Sequence, residues 1–279
     1  MEVRLFPNSM RPGTGLKPRR ESQRPLLPQH ARHCPVLEAG SALGFLVYPP
    51  LERIESFYVG YQGDGRYQLT YFLNAQAKGE AIFSVALHLP MGSIGVVREQ
   101  ITFMNKEHPV APETAMALTR TFIVPEDLGT PAGGISLRGA TNFQTPSGWD
   151  TIYTPVFNMI ERPVPPMMVI RVETDWYAHE SEFRYVLQPG EGINCAHNIP
   201  IGQVCFVPRE EITMRDCTQE ELAAIDKSKD EFFREKTASK QTTGYGLNTA
   251  RTISARAASR SPRASAQPFR ACAPPRPSL

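Results

Sequence analysis

Short β signals, each closed by turn residues, recur every 10 to 20 residues along most of this 279-residue chain. The clearest pair flanks Gly63-Asp64-Gly65, with Phe57 to Tyr61 before it and Tyr67 to Leu73 after it. Asp-Gly between alternating apolar runs predicts a hairpin, because glycine tolerates the positive φ that such turns demand. Tyr67, Leu69, Tyr71 and Leu73 then share one face. Further strands are expected over 43–48, 81–89, 96–103, 120–124 and 149–153. A helical turn or two is expected at 113–118, and a loop over 129–142. Pro163, Pro165 and Pro166 bar a central strand or helix until Met167. Such spacing predicts a mainly β fold: a single antiparallel domain, jelly-roll-like or barrel-like, rather than βαβ units.

Charge sets the outer bounds of that domain. Residues 1–33 carry seven Arg or Lys and two Glu, and residues 236–279 carry eight Arg or Lys and no acid. Residues 34–235 keep a net charge of −11. Both ends are Pro-, Ser- and Arg-rich without apolar periodicity, so 1–33 and 241–279 are expected to be disordered and dispensable. An acidic body repels nucleic acid, which leaves only the basic tails for it. The β domain is expected over 34–214. Thr218-Gln219-Glu220-Glu221 is a capping box, so a helix within 215–240 should pack on the β body through Leu222, Ile225 and Phe232.

Five cysteines without a C-x-x-C pair signal neither a disulfide framework nor a zinc ribbon. No apolar leader segment and no run of about 20 apolar residues is visible, so a cytoplasmic, non-membrane protein is expected. A small-molecule ligand and a homo-oligomer both stay open.

The densest chemistry lies between Met167 and Pro208, which reads as a strand, a polar turn, a strand, a polar loop and a third strand. Glu173, Asp175 and His179 are the catalytic candidates, because carboxylates beside an imidazole suit acid/base work. Trp176, Tyr177 and Trp149 are candidates to line a ligand site. Asp175, His179, Glu182 and His197 are candidates for a divalent metal, since two His and a carboxylate can hold one facially. Along a strand, i and i+4 lie about 13 Å apart, so Asp175 and His179 need the turn to bring them together. A turn built from Trp176-Tyr177-Ala178-His179 is expected to fold its rings over the body and roof a pocket. The opposing reading is a non-catalytic accessory or protein-interaction module.

Two resemblances bear on the same stretch. The run Asn142 to Pro208, with TPSGW, VETDWY and NIPIGQV, resembles an uncharacterised bacterial family, domain of unknown function 6065, over roughly residues 34–235. That family implies no activity. Val172-Glu173-Thr174-Asp175-Trp176 and Ile199 to Pro208 are also similar to segments of the trimeric dUTPase and dCTP deaminase superfamily. That resemblance implies a dUTPase-like fold, nucleotide pyrophosphatase-like activity, Glu173 as the water-activating carboxylate and Trp176 as the base-stacking ring. Against it, Arg171 replaces the usual Gly, Tyr177-Ala178-His179 replaces Arg-Gly-Glu, and no Gly-rich phosphate-covering tail is visible.

Overall fold

The computed structural model describes residues 1–21, 34–73, 79–89, 98–107, 109–159, 165–238, 240–242 and 248–250. The chain divides into two units, Met1–Ile212 and Thr213–Leu279. The first is mainly β with antiparallel sheets, and its described strands form no closed barrel.

Its five-stranded sheet runs in the order β12 (Gly192–Ala196), β3 (Glu55–Gly63), β4 (Arg66–Leu73), β5 (Glu80–His88) and β6 (Arg98–Phe103). The expected hairpin joins β3 to β4. Gly63, Asp64 and Gly65 all take positive φ, at 93°, 50° and 70°. A Cβ on Gly65 would meet the Leu89 carbonyl oxygen at 1.7 Å, so only glycine fits there. Alternation buries Phe57 and Val59, then Tyr67, Leu69 and Tyr71, then Phe83, Val85 and Leu87. Burying each such side chain contributes about 1.5–3 kcal/mol.

A four-stranded sheet, β10 (Ile170–Val172), β9 (Trp149–Thr154), β13 (Gly202–Pro208) and β2 (Phe45–Val47), shares one apolar core with the five-stranded sheet. Tyr153 meets Phe183 edge-on at 5.5 Å. Two ribbons complete the body: β7 (Gly134–Arg138) with β11 (Glu182–Val186), and β8 (Thr141–Gln144) with β1 (Arg4–Pro7).

Three expectations need correction here. Helix α1 is the short Pro35–Ser41, and α2 spans Pro112–Phe122, longer than expected. It takes in residues assigned to a strand at 120–124, because proline pre-sets its first turn and Ala115, Thr119 and Phe122 bury one stripe. Residues 129–142 are not a loop, since β7 and the start of β8 lie there. The expected polar loop after β11 contains a fourth strand, β12, which pairs with β3.

The largest correction is the leader. Residues 1–21 are ordered on the body. Four residues of β1 pair with β8, Asn8 is fully buried, and Asn8 Nδ2 donates to the Gly139 carbonyl at 3.0 Å. Arg11 grips buried Glu55 with two hydrogen bonds, of 2.8 and 3.0 Å. Arg19 pairs its backbone with Leu46. These anchors are polar, so apolar periodicity does not register them. Residues 22–33 and 251–279 lie outside the described set.

The second unit contains α3 (Gln219–Ala238) and a short hairpin, β14 (Lys240–Thr242) with β15 (Asn248–Ala250). The capping box forms as expected: Glu221 N–H donates to Thr218 Oγ1 at 3.3 Å, and Thr218 N–H donates to Glu221 Oε2 at 2.9 Å. The expected buried stripe does not. Leu222, Ile225 and Phe233 are exposed and Phe232 is half-buried. Among the described residues, no helix is long and apolar enough to cross a membrane.

Candidate functional site

The ends of β9, β10 and β13 meet at one corner of the body. Val207 and Pro208 pair with Asp150 and Trp149, and Val172 pairs with Thr151. Register therefore delivers Asp150, Arg171, Glu173 and Arg209 to the same place. Arg209 is the hub. Its Nη2 donates to Asp150 Oδ1 at 2.5 Å and to Asp175 Oδ1 at 2.8 Å, and its Nη1 lies 3.5 Å from Glu173 Oε2. Arg171 Nε donates to the other Asp150 oxygen at 2.6 Å. The Gly148 amide donates to Asp175 Oδ2 at 2.9 Å. Both aspartates are held below the usual carboxylate range, chiefly by Arg209. They stay ionised at neutral pH, which suits anchoring better than proton transfer.

The turn that follows β10 is pinned from beneath. Thr174 is fully buried, and its hydroxyl bonds Thr145 Oγ1 at 2.9 Å and Thr151 Oγ1 at 2.7 Å. With Thr174 pointing in and Asp175 tied to Arg209, the next residues are pushed outward. Trp176 is 70% exposed and Tyr177 48% exposed. Contrary to expectation, the rings do not fold over the body; they pack on one another. Trp176 and Tyr177 centroids lie 5.6 Å apart at 40°, and Tyr177 stacks on His179 at 5.2 Å and 20°. The Trp176 indole N–H donates to Glu173 Oε2 at 2.6 Å, which fixes the ring. Trp149 is half-buried at the edge of this corner.

At the far end of the row, His179 Nε2 lies 3.7 Å from Glu182 Oε2. Glu182 opposes Arg138 across the β7·β11 ladder, and Arg184 opposes Ser136. Arg184 pairs with Asp127, which also accepts the Ser136 hydroxyl at 2.7 Å. Burial, and then the Asp127 charge, raise the Glu182 carboxyl to about 7. Burial lowers the His179 pKa. Near neutral pH this contact is therefore not an ion pair of full charges. The leader reaches the same cluster: the Ser9 amide donates to Glu180 Oε1 at 3.0 Å, and Arg138 Nη1 approaches Met10 Sδ at 3.3 Å.

The structure thus links Glu173, Asp175, Trp176, Tyr177, His179 and Glu182 in one open row. His197 stands apart, donating from Nδ1 to the Leu51 carbonyl at 2.6 Å. Among the described residues no three His, Cys, Asp or Glu side chains gather as a metal would require, so the four proposed ligands do not form a site. Cys195 and Cys205 lie in different sheets, and neither forms a disulfide. An apolar cavity of about 290 Å³ lies elsewhere, between Pro155, Met159, Pro166, Tyr185, Ile193 and Pro200, and includes none of the turn residues. Sequence reasoning missed Arg209 and Thr174. The one sequence signal is an arginine directly after β13, whose partners depend on register. No family model matches the chain, and no curated protein matches its sequence.

Proposed function

We propose that the β body is a non-catalytic binding module and that the Trp176–Tyr177–His179 row is its contact surface. Trp176 carries this reading: its ring is largely exposed, yet its indole N–H is fixed to Glu173 at 2.6 Å. Exposed aromatic rings are the side chains most enriched at the energetic centres of interfaces. A ring already held in one pose loses little freedom on binding. The neighbouring Asp150 and Asp175 are consumed by Arg209 and serve the turn's rigidity.

The module is tested by peptide-display selection on the full chain, counter-selected on Trp176→Ala. Binders that need Trp176 are expected, while the substitution shifts stability by no more than about 0.5 kcal/mol, as for an exposed side chain. Enriched peptides that bind both proteins equally would overturn the assignment.

Small-molecule chemistry at the same turn is the second reading. It is favoured by Glu182, whose carboxyl titrates at about 7 beside the His179 ring. A ligand whose thermal stabilisation of the protein disappears in Glu182→Gln would move the reading there. Nucleotide hydrolysis draws no support from Glu173, which accepts the Trp176 N–H and faces Arg209. The two larger antiparallel sheets sharing one core support a jelly-roll-like winding as a proposal.

A further inference from the structure

Building on the binding-module reading above, we propose that the Trp176–Tyr177 ridge takes an arginine side chain presented by a basic peptide. Indole is the strongest side-chain partner for a cation over its face. Here the indole N–H is donated to an anion, Glu173, at 2.6 Å. That bond places negative charge at the ring edge and leaves the face more electron-rich. Tyr177 stands beside it at 5.6 Å and 40°, giving a second face of the same kind.

The charges around the ridge fit a cation. At the Glu173 end three carboxylates, Asp150, Glu173 and Asp175, meet two guanidiniums, Arg171 and Arg209. Glu173 is the least engaged of the three, with a side chain 51% exposed and a single ion-pair contact at 3.5 Å. At the other end the row leads to Glu180 and to Glu182, whose raised carboxyl carries only part of a charge near neutral pH, with Arg138 and Arg184 on the ladder beyond. The unit that carries the ridge, Met1–Ile212, has 18 Lys or Arg against 21 Asp or Glu, a net charge of −3 even with the basic leader included.

The protein already uses this chemistry on itself. The leader is basic, and its guanidiniums lie over rings of the body: Arg20 over Phe45 at 4.5 Å, Arg19 over Tyr48 at 5.4 Å and Arg11 over Phe122 at 5.9 Å. Arg11 adds two hydrogen bonds to the Glu55 carboxylate. A ring beside a carboxylate is thus the pairing that receives Arg11 within the fold, and Trp176 beside Glu173 repeats it on the open surface. Guanidinium suits the ridge better than ammonium, because it is flat and weakly hydrated and can stack while donating in its own plane.

The probes are hexa-arginine and its uncharged isostere hexa-citrulline, titrated into the full chain while the Trp176 indole N–H resonance is followed. Saturable shifts with hexa-arginine are expected, with binding about tenfold tighter than that of hexa-citrulline. Trp176→Ala should weaken hexa-arginine binding by about tenfold, and Trp176→Phe by less. Equal binding of the two peptides would overturn the arginine proposal while leaving the ridge as a contact surface. Hexa-arginine binding that ignores Trp176→Ala, or no indole shift at all, would also overturn it by assigning any affinity to the acidic body at large. The display selection above fails or succeeds independently of both results.

Discussion

The leader and helix α3 are a pair of opposites. The leader has the composition of a disordered tail, yet its first 21 residues are built into the body. The helix has a capping box and an apolar stripe, the marks of a docked element, yet Leu222 and Ile225 are exposed. The difference lies in what each segment gives its neighbours. The leader supplies a strand to an edge, a buried Asn8 and a guanidinium with a carboxylate waiting for it. Directional polar bonds fix position at few residues, whereas an apolar stripe only creates a demand for cover.

If that contrast holds, the sharpest way to break it is at Glu55. This carboxylate accepts two bonds from Arg11, one from the Tyr71 hydroxyl at 2.5 Å and one from the Glu52 amide at 2.6 Å. Burial alone would raise its pKa, but Arg11 and Tyr71 overcome that and hold it low. Glu55→Ala leaves the half-buried Arg11 guanidinium with only the Pro50 carbonyl at 3.0 Å, and the buried Tyr71 phenol without its carboxylate acceptor. We expect a loss of about 3–5 kcal/mol in denaturant unfolding, the usual cost of removing one partner of a buried pair. Trypsin should then cut faster at Arg19 and Arg20. Unchanged stability and unchanged cleavage would show that the leader is laid on the surface rather than locked there.

A smaller effect tests how far the leader's influence reaches. Ser9 and Met10 cap the cluster that includes Glu182. The folded-state pKa of Glu182, about 7, exceeds the ordinary carboxylate value of 4.5. Protonation therefore favours the folded state, and that contribution is complete below pH 4.5 and lost as pH rises toward 7. Glu182→Gln cannot ionise, so its stability relative to the parent should climb across that window and level off above it. His179, lowered by burial, acts in the opposite sense and loses stability as pH falls below its ordinary value of 6.5. Paired melts of parent and Glu182→Gln across this range check the sign. A flat difference would mean that water reaches the carboxyl and that the leader shields nothing.

The same contrast explains what could be read from the sequence. The β3–β4 hairpin is legible because its turn needs Gly63 and Gly65 at positive φ, a local requirement written in local residues. The strand β7 is not, because Gly133-Gly134 and the short Ile135-Ser136-Leu137-Arg138 look like a loop until β11 pairs with them. Helix α2 reads short because β-branched Thr119 and Thr121 suggest a strand, while in the fold their hydroxyls bond back to the carbonyls of Ala115 and Ala117. At the candidate site, composition locates the turn. Its direction depends on Thr174 and Arg209, whose partners come from β8, β9 and the segments flanking them, and no local pattern announces such pairings.

The smallest expected effect completes the contrast, at Leu222. A helix whose stripe packs on a core loses about 2–5 kcal/mol when a buried leucine becomes alanine. Leu222 is 42% exposed and Ile225 41% exposed, so neither removes much apolar area from water. Leu222→Ala should cost no more than about 0.5 kcal/mol, because alanine's higher helix propensity offsets part of the small apolar burial that the leucine provides. Denaturation midpoints of the parent and the variant, each measured at two protein concentrations, are the check. A large drop at both concentrations would mean that the stripe is covered within one chain. A drop confined to the higher concentration would mean that a second copy covers it. Either result would place α3 with the leader as a docked element, and the opposition between the two ends would no longer stand.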